Sequence, residues 1–154
     1  MPPPLHRLGR SAWRAGRFAA REPASALLLA RMDFWVAAVS LLVRVLPLSR
    51  ALRCLTPRRR PARASDAEEV QRRLARLLDQ LLAADLWVFT PTCWKRAPVL
   101  HRFLALRGIE TRVVFGVRKG GGDELDGHAW LEAGGEPLLE TTPPDYKVTF
   151  SHPA

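Results

Sequence analysis

Four side chains in the second half of the chain could support nucleophilic chemistry: Cys93, Asp126, His128 and Glu140. Cys93 follows Thr90 and Pro91, which suit the N-cap and the first position of a helix, so the sequence predicts that Cys93 lies in a first helical turn. Free backbone N–H groups and the positive end of the helix dipole favour a thiolate there, and a backbone N–H could face an oxyanion. Taken alone, Cys93 is more typical of a small buried apolar residue.

His128 could supply the base that a cysteine nucleophile requires. It follows a glycine-rich segment and opens a strand-like pattern, HAWLEA, over residues 128–133. The separation from Cys93 is 128 − 93 = 35 residues. That distance fits one helix and one returning strand, so a sheet could bring the imidazole back to the start of the helix. The alternative role is that of a half-buried strand histidine.

The group that would orient His128 is either Glu140 or Asp126. Glu140 lies 140 − 128 = 12 residues after His128, beyond a glycine turn at residues 134–135. A two-residue turn would direct His128 and Glu140 to opposite faces of the sheet, whereas an odd-length turn with a bulge makes them diagonal neighbours on one face. We predict the odd register. Asp126, expected in the preceding loop, is the competing residue, and a solvent-facing position is the alternative for Glu140.

Two tryptophans adjoin these residues. Trp94 follows Cys93, and Trp130 lies two residues after His128, on the same face of the predicted strand. We expect both to cover the site and exclude water, although core packing is the simpler role for each. The two cysteines and the scattered histidines match no metal-binding spacing, so we expect no metal and no other cofactor.

The elements that must position these residues divide the chain into a helical half and a half that contains strands. Helical periodicity covers residues 25–46, 49–55, 65–84 and 91–108, the last of which ends at Gly108. Strand patterns cover residues 111–119, 128–133, 137–142 and 146–150. This order predicts an α+β fold in which one helix packs on an antiparallel meander. We predict three regions: a poorly ordered basic N-terminus (1–20), a helical region with a linker (21–64) and a core (65–154).

The composition favours a globular chain with a basic surface. Its 154 residues are 47% hydrophobic, which excludes a globally disordered chain. Lys and Arg number 24 against 15 Asp and Glu, a formal net charge of +9. Such a surface would attract acidic peptides, nucleic acids or anionic lipids, or it reflects only a coding bias towards arginine.

Two cysteines and no recognisable secretory signal predict a cytoplasmic protein. The longest uncharged run in the apolar stretch, residues 34–43, is too short to span a bilayer, but a surface helix remains possible.

The second half of the sequence resembles a known family. The strings CWKRAPVLHRFLALRGIETRVVFGVRK and GHAWLEAGGEPLLE are similar to the transglutaminase-like B proteins of lasso-peptide biosynthesis (the microcin-processing protein C-terminal domain family). The resemblance implies a papain-like or transglutaminase-like core and a cysteine protease that removes the leader from a ribosomally made precursor peptide. Cys93 matches the family nucleophile and His128 the base. Glu140 stands where the family usually has Asp, and Trp94 stands where Leu is commoner.

The resemblance also implies partners. The chain looks like the stand-alone peptidase form, which would act with a separate leader-recognition protein and a lasso cyclase resembling asparagine synthetase. The helical N-terminal half would bind the leader or the partner protein, and neither nucleic acid nor a membrane is an expected partner. Three alternatives stay open: acyl transfer to an amine, a catalytically inactive peptide-binding module of the same fold, and a basic protein that binds membrane surfaces or nucleic acids.

Overall fold

The computed structural model describes residues 23–58, 65–83, 93–120, 124–140 and 142–153. Within these residues, four helices precede a four-stranded antiparallel sheet, which confirms the predicted α+β class. The helices are α1 (Pro23–Val45), α2 (Leu48–Leu55), α3 (Ala67–Ala83) and α4 (Cys93–Ala105). The strands are β1 (Arg112–Lys119), β2 (Leu125–Ala133), β3 (Glu136–Leu138) and β4 (Lys147–His152). The predicted poorly ordered segment 1–20 and most of the predicted linker lie outside the described residues.

Helix α4 is the central element of the structure. It contacts the other three helices as well as strands β1 and β2. Its apolar residues Leu100 and Leu104 are fully buried, together with Met32 and Val36 of α1 and Leu78 of α3. Burial of each such side chain contributes about 1.5–3 kcal/mol to folding, so this cluster fixes α4 firmly against the sheet and the helical layer.

The end of α4 follows the sequence prediction. Gly108 has a φ of 69°, a conformation that glycine adopts without steric cost. The N–H of Gly108 donates to the carbonyl of Ala105 at 3.1 Å, and the N–H of Ile109 donates to the carbonyl of Leu104 at 3.0 Å. This paired arrangement closes the helix and turns the chain towards β1.

The sheet has the strand order β3-β2-β1-β4. The first three strands form the predicted meander, but β4 crosses back to pair with β1, so the meander prediction is wrong for the last strand. The short strand β3 ends at Leu138, and the chain turns away at Leu139, whose φ is 61°. On the other edge, Phe150 packs against Phe115 with ring centroids 6.0 Å apart, which favours pairing of β4 with β1.

Strand β2 begins earlier than the sequence pattern indicates. Residues 125–127 pair with the end of β1, from Val117 to Lys119. The sequence analysis placed Asp126 in a loop before His128, and that prediction is wrong, because residues 125–127 belong to the strand. Asp126 consequently lies in a strand, two residues before His128 and on the same strand face.

The uncharged run 34–43 is short, but helix α1 as a whole is long and apolar enough, by length and composition, to cross a membrane. Core helices of soluble proteins and signal sequences share that property. In this structure α1 buries Met32, Val36 and Val39 in the core, while Phe34 and Leu41 are exposed. The helix is therefore partly a core element and partly an exposed apolar surface.

Candidate active site

Cys93 lies at the described start of α4. The thiol is free, half-buried and packed against the edge of the core. Thr90 and Pro91 lie outside the described residues, so the predicted cap of the helix stays a prediction. Desolvation and a hydrogen bond to Asp126 raise the pKa of Tyr146, and the charge of Cys93 makes a smaller contribution in the same direction.

His128 is held between two aromatic rings. Strand alternation places Ala129 and Leu131 in the core and leaves His128 and Trp130 on the other face of β2. The Trp130 ring stacks on the imidazole with centroids 5.9 Å apart and an interplanar angle of 15°. The Tyr146 ring lies 5.2 Å from the imidazole. The imidazole is therefore oriented by packing, although 26% of the side chain remains exposed to solvent.

Glu140 contacts His128 by a route that the sequence analysis did not predict. Ala133 pairs with Glu136, so the turn has two residues and the predicted odd register is wrong. Both glycines of that turn have positive φ, 62° and 88°, which suits the tight hairpin turn whose twist matches the strands. The chain then leaves the strand at Leu139, where φ is 61°. As a result, the Oε2 atom of Glu140 lies 3.3 Å from Nε2 of His128.

Asp126 has other partners. Its Oδ2 atom accepts hydrogen bonds from the hydroxyl of Tyr146 at 2.9 Å and from Nε of Arg118 at 3.0 Å. These two bonds lower the pKa of Asp126 and keep it ionised. Among the described residues, the carboxylate bonded to His128 is Glu140, and Asp126 instead holds the phenol that packs on the imidazole.

The bond to Glu140 determines which imidazole nitrogen is available for chemistry. When Nε2 of His128 donates to the carboxylate, the neutral ring carries its lone pair on Nδ1, which can then accept a proton. No hydrogen bond joins Cys93 to His128 among the described residues. Tyr146 packs on the imidazole of His128, and the charge of Cys93 contributes to raising the pKa of Tyr146. Glu140 also acts electrostatically on α4. A hydrogen bond to Asp79 raises the pKa of Arg96, one turn after Cys93, and the charge of Glu140 raises it further.

A model of the transglutaminase-like superfamily matches residues 33–152 of the 154-residue chain. The chain belongs to the transglutaminase-like superfamily. Members of this superfamily are typically cysteine peptidases or acyltransferases. No curated protein and no solved structure matches the chain. The matched region runs from α1 to β4 and includes Cys93, His128 and Glu140.

The two tryptophans of this transglutaminase-like chain have different surroundings. Trp130 is only 3% exposed, donates from Nε1 to Glu132 at 3.2 Å and covers one face of the His128 imidazole, and its predicted role in excluding water from the site stays a prediction. Trp94 packs against the core, and the ammonium of Lys95 lies 5.2 Å from its ring centroid. Its predicted role beside the thiol stays a prediction.

Tyr146 and Gly116 are two site residues that the sequence analysis missed. A Cβ added at Gly116 would lie 2.8 Å from Cβ of Tyr146 and 3.0 Å from the Trp130 ring. Gly116 therefore leaves the space in which both aromatic rings approach His128. A lone glycine inside a β-branched strand pattern signals such a close approach, and Tyr146 is the single tyrosine in the sequence.

Proposed function

We propose that this transglutaminase-like chain is a cysteine peptidase that removes the leader from a ribosomally synthesised lasso precursor peptide. Cys93 is the nucleophile, His128 is the general base, and Glu140 orients His128. The proposal also includes a cytoplasmic location and two partners, a separate leader-recognition protein and a lasso cyclase. No cofactor takes part. The sequence resemblance supports the choice of substrate and partners, and the superfamily match supports the chemistry.

In the proposed mechanism, Nδ1 of His128 accepts the thiol proton of Cys93, and the thiolate attacks the scissile carbonyl carbon. The imidazolium then gives its proton to the leaving amine as the C–N bond breaks, which leaves a thioester on Cys93. Water, deprotonated by Nδ1 of His128, hydrolyses the thioester and releases the leader as a free acid. Glu140 stabilises the imidazolium through its contact with Nε2–H.

One observation carries the proposal: the 3.3 Å contact between Nε2 of His128 and Oε2 of Glu140. A base that works with a thiol needs a third group that fixes its tautomer, and this contact supplies one. The stacked Trp130 ring and the nearby Tyr146 ring restrict the imidazole in the remaining directions. A strand histidine with a purely structural role does not require a carboxylate and two rings around it.

The test mixes the full chain with a synthetic lasso precursor peptide and the separate leader-recognition protein, and mass spectrometry detects the released leader. Cys93→Ala should abolish leader removal and leave the circular dichroism spectrum unchanged. Cys54→Ala provides the matched control, because Cys54 is a free, exposed cysteine outside the site, and this variant should cleave normally. Leader removal by Cys93→Ala at the wild-type rate would refute the proposal.

Acyl transfer to an amine is the second candidate, because the superfamily match supports both reactions and both proceed through the same thioester. Adding a primary amine such as glycine ethyl ester to the assay separates them. A peptidase yields the free acid, whereas an acyltransferase yields the amide, which has a different mass. An inactive binding module of the same fold would yield neither product and would still bind the peptide.

A further inference from the structure

A basic cleft lies away from the candidate active site, between α2, the segment that follows it and the C-terminal part of α4. Its volume is about 820 Å³. We refer to it as the arginine cleft. Its described lining contains four arginines, no carboxylate, and a few apolar and small polar residues: Leu46, Arg50, Arg53, Cys54, Thr56, Pro57, Arg58, Arg102 and Leu106.

The positive charge of the arginine cleft is not neutralised within the described part of the protein. No ion pair there involves Arg50, Arg53, Arg58 or Arg102. The positive charge also acts on a neighbouring histidine. Burial lowers the pKa of His152, and the charge of Arg53 lowers it further. A cleft with several guanidinium groups and no counter-charge attracts anions and gains stability when one binds.

Arg102 is the most restrained of these arginines. One of its terminal nitrogens, Nη1, donates to the carbonyl of Leu55 at 2.7 Å, and its guanidinium carbon lies over Trp35, 3.7 Å from the ring centroid. Burial lowers the pKa of Arg102, and the charge of Arg31 lowers it further. Its Nε atom is buried without a hydrogen-bond partner in the described structure. A guanidinium held in this way is ordered in advance for a planar anion such as a carboxylate.

The arginine cleft is separate from the thiol. Arg102 follows Cys93 by 102 − 93 = 9 residues on the same helix. Nine residues correspond to two and a half turns, so Arg102 lies about 13.5 Å further along the helix axis and on the opposite side of the helix. A ligand in the cleft would therefore bind without touching Cys93.

We propose that the arginine cleft binds an acidic peptide segment at a docking site remote from the active site. Forked guanidinium groups match carboxylates, and the apolar residues Leu46, Pro57 and Leu106 suit the aliphatic parts of a peptide. A nucleic acid is less well suited, because single strands need exposed aromatic rings for base stacking, and the described lining has none. The proposal does not depend on the peptidase mechanism, because it concerns binding and not cleavage.

The first test measures the binding of a fluorescein-labelled peptide of alternating glutamate and leucine to the full chain by anisotropy. The matched probe replaces every glutamate with glutamine. We expect the acidic peptide to bind, its affinity to fall as salt is added, and the glutamine peptide to bind at least tenfold more weakly. Equal binding of the two peptides would overturn the proposal, as would tighter binding of a labelled single-stranded oligonucleotide.

Charge-reversal variants locate the binding site. Arg53→Glu and Arg50→Glu should each weaken binding of the acidic peptide about tenfold, because an attraction becomes a repulsion in a partly enclosed cleft. Lys119→Glu is the matched control, since it changes the net charge equally at an exposed position on the sheet. Equal weakening by Lys119→Glu would mean that only net charge matters and would overturn the proposal.

Cys54 provides a second readout, because it lines the cleft and is exposed. Iodoacetamide labelling followed by peptide mapping measures Cys54 and Cys93 in the same sample. The acidic peptide should slow alkylation of Cys54 and leave that of Cys93 unchanged. Protection of Cys93 alone would place the peptide at the active site and would contradict the docking proposal.

Discussion

Nε2 of His128 lies 3.3 Å from Oε2 of Glu140, although the hairpin that carries both residues has a register that would direct them to opposite faces of the sheet. The left-handed conformation of Leu139 resolves this conflict, because it takes the chain out of β3 one residue before Glu140. The carboxylate thereby returns to the imidazole. The proposed third member of the site therefore depends on one backbone torsion.

Replacing Glu140 should impair turnover more than binding. Glu140→Ala removes a charge-assisted hydrogen bond worth about 1.5–3 kcal/mol, so kcat for leader cleavage should fall about 10- to 150-fold with little change in KM. Glu140→Asp should retain more activity than Glu140→Ala. The control is Glu136→Ala, an exposed position in the same hairpin. If both alanine variants have wild-type kcat, Glu140 does not orient His128.

The torsion at Leu139 can be tested by two substitutions with opposite backbone preferences. Glycine accepts the observed φ of 61°, whereas proline fixes φ near −65° and excludes it. Leu139→Gly should therefore keep most of the activity, and Leu139→Pro should reduce cleavage by at least about tenfold, comparable to loss of Glu140. Circular dichroism melts check that both variants fold. Full activity of folded Leu139→Pro would show that the torsion is not required.

In the two-residue turn between β2 and β3, replacing a glycine should lower stability because of its backbone conformation and not because the new side chain is crowded. An added Cβ at Gly135 meets nothing within 4 Å, but φ there is 88°. Gly135→Ala should therefore lower the free energy of unfolding by about 1–2 kcal/mol. Gly127→Ala is the matched control, because its Cβ also meets nothing within 4 Å and its φ is not positive. In urea denaturation, Gly127→Ala should change the free energy of unfolding by no more than about 0.5 kcal/mol. An equal decrease of that free energy in both variants would contradict this explanation.

The sequence was sufficient to predict the fold class, the helix that begins near Cys93 and the strand that carries His128, because helical and alternating patterns are local signals. The register was predicted wrongly, because two glycines accept either turn and β3 is only three residues long. Nothing about leucine predicts a positive φ at Leu139. Tyr146 reaches the site through the pairing of β4 with β1, a long-range contact that no local pattern predicts.

His152 should make the fold less stable in mild acid. Burial lowers its pKa from the ordinary 6.5, with a smaller contribution from Arg53, so the unfolded chain binds the proton more tightly than the folded chain does. The free energy of unfolding should therefore fall as the pH drops through about 6.5. His152→Gln should lose less stability than the wild type when urea denaturation is compared at about pH 7.5 and pH 5.5. Equal losses would show that His152 does not contribute.

The pH dependence of Cys93 alkylation tests the central claim, that His128 activates this thiol. Iodoacetamide reacts with the thiolate, so peptide mapping can follow Cys93 and the exposed Cys54 together in the wild type and in His128→Ala. At about pH 6.5, Cys93 should react faster than Cys54 in the wild type and lose that advantage in His128→Ala, while Cys54 stays unchanged. Identical rates for Cys93 in the two proteins across the pH range would contradict the account.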